Sequence, residues 1–101
     1  MFARLSTYQG SPVPAKGDLA AKSEAIVQPV RDAPGFRGVY YLVDRASGQA
    51  ASLTLWEDEA AMQASEEQAA RIREEAAERE GQRILSVEHF EVAFSFEPPP
   101  M

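Results

Sequence analysis

The chain reads as an α+β domain of ferredoxin-like kind, with element order β-α-β-β-α-β. Its four strands would form one antiparallel-rich sheet with two helices on one face. Three observations predict this. Four segments, 2–9, 36–44, 50–56 and 83–96, are rich in β-favouring and aromatic residues. Two stretches between them carry apolar residues at helical spacing. Glycine and proline punctuate the joints.

The first strand is FARLSTYQ, residues 2–9, and GSPVP at 10–14 ends it. Asp18 can cap a helix whose inward positions are Leu19, Ser23, Ile26, Val27 and Val30, and APG at 33–35 stops it. FRGVYYLVD, 36–44, is the second strand. ASGQ, 46–49, is a turn in which Gly48 can take a positive φ, and AASLTLW, 50–56, returns as a hairpin partner. Asp58 caps one long second helix over 59–80, with Met62, Ser65, Ala69, Ile72 and Ala76 inward. Outward, Glu67 with Arg71 and Glu75 with Arg79 stand at i,i+4. Gly81 stops this helix. RILSVEHFEVAFSF, 83–96, is the last strand. The domain is 1–96, and the proline-rich 97–101 is a loose tail. Strands one and three are expected as parallel neighbours in the sheet centre.

Both faces of this sheet are apolar. Strand two shows Phe36, Gly38, Tyr40 and Leu42 on one side and Arg37, Val39, Tyr41 and Val43 on the other. Strand four shows Ile84, Phe90, Val92, Phe94 and Phe96 against Leu85, Val87 and Ala93. Two helices cover one face only, and soluble monomers avoid a large bare apolar patch. A homodimer, sheet against sheet through isologous contacts, is the expected remedy.

Composition removes several chemistries. There is no cysteine, so thiolate nucleophiles, disulfides and cysteine-bound metals are out. One histidine, His89, rules out a multi-histidine metal site within one chain. The net charge is −6; residues 1–55 hold six basic and four acidic groups, residues 56–101 four and twelve. An acidic chain repels phosphate backbones, so no nucleic-acid partner is expected. No apolar run reaches the ~18 residues of a membrane span. MFARLSTYQGSP shows no signal-peptide pattern, so a cytoplasmic location is expected.

PGFRGVYYLVD followed by SLTLWEDEAAM, within this element order, resembles the antibiotic biosynthesis monooxygenase family of dimeric α+β barrels. The likeness runs from about residue 2 to 94. Members of that family include cofactor-independent oxygenases of aromatic polyketides, haem degraders and proteins of unknown role. The haem-degrading branch is similar at Trp56. It also uses an Asn on strand one and a haem-ligating His on the helix after the Trp; this chain has no Asn, and His89 falls on strand four. In the oxygenase branch the substrate anion itself reduces dioxygen, so the protein supplies a dry pocket, a base and an oxyanion stabiliser.

The resemblance implies a binder of a hydrophobic, polyketide-like aromatic molecule, and an oxygenase with no cofactor. Trp56, Arg37 and Tyr40 are the catalytic candidates; Tyr8, Tyr41, Trp56, Met62 and His89 are the pocket candidates. Each has a structural reading as well. Trp56 can be a core plug against the second helix. Tyr40 and Tyr41 point to opposite faces, one toward helices and one toward the dimer interface. Arg37 can pair with Asp32, Asp44 or Glu91, and Arg4 has the same two readings, ion pair or anion binder. His89 can be a general base or a satisfied rim histidine. The competing functions are a non-catalytic ligand-binding or stress-related module and a structural dimerisation domain.

Overall fold

The computed structural model describes residues 1–12, 24 and 27–99. Strands β1 (Phe2–Gln9), β2 (Phe36–Val43), β3 (Gln49–Trp56) and β4 (Arg83–Glu91) form one sheet in the order β2-β3-β1-β4. The helix expected after Asp18 lies largely outside the described residues. Near its end Glu24 and Val27 are helical, and the N–H groups of Gln28 and Arg31 bond their carbonyls at 2.9 Å each. The element order β-α-β-β-α-β therefore stands.

β1 and β3 are the central neighbours, but they run antiparallel, not parallel as expected. Connectivity explains this. The crossover through the first helix leaves β2 parallel to β1 without pairing to it. The tight β2–β3 hairpin then reverses direction, so β3 opposes β1. All three ladders are antiparallel.

Two register irregularities change which residues share a face. On β2, Phe36 faces Trp56 while Gly38 already faces Leu55. Arg37 is the extra residue, so Phe36 joins Val39, Tyr41 and Val43 on the helix side, away from Tyr40 and Leu42. On β4, Ile84 faces Tyr8 and Ser86 faces Thr7, leaving Leu85 bulged. Ile84 thus shares its face with Val87 and His89, and Phe90 falls on the opposite one. The expected strand over 83–96 stops at Glu91. Its ladder ends where β1 begins, with Phe2 opposite Glu91 and a last bond from Val92 N–H to Met1 O at 2.9 Å.

The hairpin closes through Asp44, whose N–H bonds Gln49 O and whose O accepts from Gly48 N–H, both at 2.8 Å. Gly48 has φ +77°, and a Cβ there would run into the Gly10 carbonyl oxygen. After β3, Asp58 caps α1 (Glu59–Ala64) by accepting from Ala61 N–H at 2.8 Å. The single helix expected over 59–80 is broken at Ser65, and α2 (Glu66–Glu80) follows. The Met62 carbonyl there is taken by the Ser65 hydroxyl at 2.7 Å and by Arg4 at 2.9 Å. Those donors satisfy the end of α1 and let the axis turn. Gly81 ends α2 in the left-handed conformation. The i,i+4 pairs expected on its outer face do not form; Arg79 turns to Glu80 at 3.5 Å.

The helices pack on the face that carries Arg4 and Trp56. Buried side chains there are Tyr8, Ala50, Trp56, Met62 and Ala77, with Trp56 at 0 % exposure. The opposite face leaves Tyr40 57 %, Leu42 53 % and Phe90 48 % exposed. No described helix is long and apolar enough to cross a membrane.

Candidate functional site

Between the sheet and α2 lies a cavity of about 430 Å³. Alternate residues of each strand share a face, so Ser6 and Tyr8 of β1, Ser52 and Thr54 of β3, and Val39, Tyr41 and Val43 of β2 form its floor. Ala69, Ile72, Arg73 and Ala76, one face of α2, form its roof. Small roof residues leave the volume open where larger ones would fill it. Hydroxyls converge on it: Tyr8 OH and Ser52 Oγ lie 3.3 Å apart, and Tyr41 OH accepts from Gln82 Nε2 at 3.0 Å.

Trp56 stands at the border of this cavity yet is sealed from solvent. Its Nε1–H donates to Thr54 Oγ1 at 3.0 Å, and its ring meets Phe36 edge-on at 5.5 Å. With its one donor engaged inside the protein, Trp56 closes the cavity as a packed wall.

Arg4 organises the adjoining corner. It is 3 % exposed, with its guanidinium carbon 5.5 Å from the Trp56 ring centroid. It donates to Ser65 Oγ at 2.8 Å, to Met62 O at 2.9 Å, and to Glu66 Oε1 from Nη2 at 2.8 Å and Nε at 3.1 Å. The same Glu66 oxygen lies 2.7 Å from His89 Nε2. Burial pushes the Glu66 carboxyl upward. The hydrogen bond and charge of Arg4, then those of His89, outweigh it and hold the group below its usual range. Glu66 and His89 line a second, more open concavity with Phe2, Met62 and Phe90.

The structure therefore divides the sequence-predicted residues among four places. Tyr8, Tyr41 and Trp56 border the cavity between the sheet and α2. Met62 and His89 border the second concavity. Arg37 is exposed and pairs with Glu57 at 3.3 Å, none of its three expected partners, because the bulge sets it beside the residue after Trp56. Tyr40 points to the bare face, away from both sites. Sequence reasoning missed Glu66 and Arg73. Both sit in a charged helix where solvated positions look the same. The only signal was the stripe Ala69, Ile72, Ala76, which places Arg73 at its flank. Among the described residues no group of three or more His, Cys, Asp or Glu is placed to hold a metal ion.

The model of the antibiotic biosynthesis monooxygenase family matches residues 14–78. The chain belongs to this family. It is 34 % identical over 77 residues to the uncharacterized protein Rv2558 of Mycobacterium tuberculosis, covering 76 % of this chain and 33 % of that protein. It is 33 % identical over 93 residues to the uncharacterized protein Rv2557 of the same organism, covering 92 % and 41 %. The chain thus spans well under half the length of these curated relatives. Two solved structures share the fold. One is an antibiotic biosynthesis monooxygenase-type protein from Deinococcus radiodurans, with TM-score 0.66, 17 % identity, and 99 % of this chain and 100 % of that one covered. The other is the haem degrader MhuD of Mycobacterium tuberculosis with two haems bound in its active site, with TM-score 0.58, 24 % identity, and 96 % and 100 % covered. At these identities both likenesses speak to the fold alone.

Proposed function

We propose that this family member binds a hydrophobic, aromatic small molecule in the cavity between the sheet and α2. One observation carries the reading: a cavity of about 430 Å³ with a mostly apolar surface, Val39, Val43, Ala69, Ile72 and Ala76 among its walls, bordered by the hydroxyl-bearing Tyr8, Ser52 and Tyr41. Apolar walls with a few placed polar groups are the usual make-up of a small-molecule site. Tryptophan fluorescence tests it, since Trp56 is the chain's sole tryptophan and borders the cavity. Titration with an anthrone should change the emission saturably, and Ala76→Phe, which fills the roof and adds no second indole, should abolish the change. An unaltered signal in Ala76→Phe sinks the reading.

Family membership favours a second step, oxygenation of that molecule without a resident cofactor. The substrate carbanion would reduce dioxygen, one oxygen atom entering the carbon and the other leaving as water. Tyr8 OH and Ser52 Oγ, 3.3 Å apart, retain bonding capacity for a substrate oxygen. Product formed in air and not under anaerobic conditions supports the step. Binding without oxygen-dependent product leaves a ligand-binding module. A histidine-ligated haem does not fit this cavity, because the only imidazole, His89, faces Glu66 in the other concavity.

The same reading includes a homodimer through the bare sheet face, in a cytoplasmic protein. Tyr40, Leu42 and Phe90 are the apolar groups it would cover. A monodisperse monomer at micromolar concentration in sedimentation contradicts this part.

A further inference from the structure

Building on the cavity as a small-molecule site, the geometry points to an aromatic anion as its ligand, with Arg73 selecting for the charge. Three arginines border the cavity: Arg4, Arg73 and Arg79. Arg4 is matched by Glu66 at 2.8 Å and Arg79 by Glu80 at 3.5 Å. Arg73 is half-buried and has no hydrogen-bond or ion-pair partner among the described residues. A guanidinium partly withdrawn from water and unpaired gains more from an incoming anion than an exposed one does.

The helix explains why Arg73 is unpaired. Ala69, one turn before it, and Ala76 and Ala77, one turn after, bring no carboxylate to its stripe. Glu75 also borders the cavity, but it stands two residues on, about 200° around the helix from Arg73, and is exposed. The sheet opposite offers Arg4, already matched by Glu66, and otherwise the neutral groups of Ser6, Tyr8, Tyr41, Ser52 and Thr54. These neutral groups can orient a ligand oxygen but cannot balance a charge. A flat ring would lie between Val39 and Ile72, with its acidic oxygen, a carboxylate or a phenolate, toward Arg73.

Calorimetric titration with two probes of like shape tests this, 2-naphthoate as the anion and 2-naphthalenemethanol as the neutral partner. The variants are Arg73→Gln, Arg73→Lys, and Arg71→Gln on the exposed side. The intact protein should bind the anion about tenfold tighter or more, the usual weight of one charge-assisted hydrogen bond. Arg73→Gln should bring the anion down to the alcohol's affinity while leaving the alcohol unchanged. Arg73→Lys should restore part of the preference, and Arg71→Gln should alter neither probe. Equal binding of both probes by the intact protein overturns the inference and leaves the cavity reading standing. A preference that survives Arg73→Gln, or a loss of both probes together in that variant, also overturns it. Binding of neither probe overturns the cavity reading and this inference with it.

Discussion

Arg4→Met removes the guanidinium while keeping an apolar stem of similar reach. The loss can be worked from the geometry. Two charge-assisted bonds go, to Ser65 Oγ at 2.8 Å and to Met62 O at 2.9 Å. Hydrogen bonds from charged groups contribute about 1.5–3 kcal/mol. The lower figure applies here, because the Met62 carbonyl keeps the Ser65 hydroxyl at 2.7 Å and is not left orphaned. The Glu66 pair adds little. Its carboxylate is 36 % exposed, can rehydrate, and keeps His89, so about 0.2–1 kcal/mol is the screened value. The cation over Trp56 adds about 0.5–1 kcal/mol. Together these predict a loss of about 4 kcal/mol, a large share of the 5–15 kcal/mol that holds such a domain. Urea unfolding followed by Trp56 emission measures it. Ser65→Ala, and the double variant with Arg4→Met, complete a cycle in which the two losses should fall short of additive by more than 0.5 kcal/mol. A loss under about 1 kcal/mol in Arg4→Met, or strict additivity, would refute the reasoning that Arg4 ties β1 to the break between the helices.

Trp56→Phe should cost about 2 kcal/mol, from the void and the lost bond to Thr54, read as a drop in thermal midpoint. Gly48→Ala should cost about 2 kcal/mol or more, because its φ of +77° is strained for an L side chain and the new Cβ meets Gly10 O. Glu66 is held below the usual carboxylate range, so its stabilising share is present at neutral pH and is lost as pH falls through that lowered value. Glu66→Gln should flatten this part of the acid limb in urea midpoints taken against pH, and an unchanged limb would count against the assignment. Leu42→Arg, on the bare face, should shift sedimentation toward monomer; an unchanged distribution would place any self-contact elsewhere.

What the sequence disclosed was what short-range chemistry determines. Strand cores, the Asp58 cap, the Gly81 stop and the Ala69–Ile72–Ala76 stripe each depend on residues within a turn or two of one another. The hidden features depend on distant partners. The break at Ser65 needs Arg4, 61 residues away in sequence. The bulges at Arg37 and Leu85 are properties of pairing between strands, and each inverted the face assigned to a neighbouring residue. That is why Tyr41 could be foreseen as facing one side and Tyr40 the other, but not which side held the cavity. Glu66 carried no mark at all. In a run of glutamates, only the arginine and histidine brought to it by β1 and β4 distinguish it from its solvated neighbours.

The two faces of the sheet are not independent. β2 is an edge strand, held by β3 alone. Its alternate residues Val39, Tyr41 and Val43 wall the cavity, while Tyr40 and Leu42 between them stand on the bare face. A strand with one ladder and one uncovered face is the part of a sheet freest to shift. The wall that β2 presents to a ligand is therefore the less fixed of the two. The opposite wall is different in kind. Ser6 and Tyr8 lie on β1, which is bonded on both sides, and Arg4 on the same strand anchors it to both helices through Met62, Ser65 and Glu66. The hydroxyls of Tyr8 and Ser52 thus sit on the rigid side of the cavity and Tyr41 on the yielding side. A ligand oxygen placed against Tyr8 and Ser52 meets groups already in position, whereas the fit around Tyr41 depends on an edge strand with a bare back.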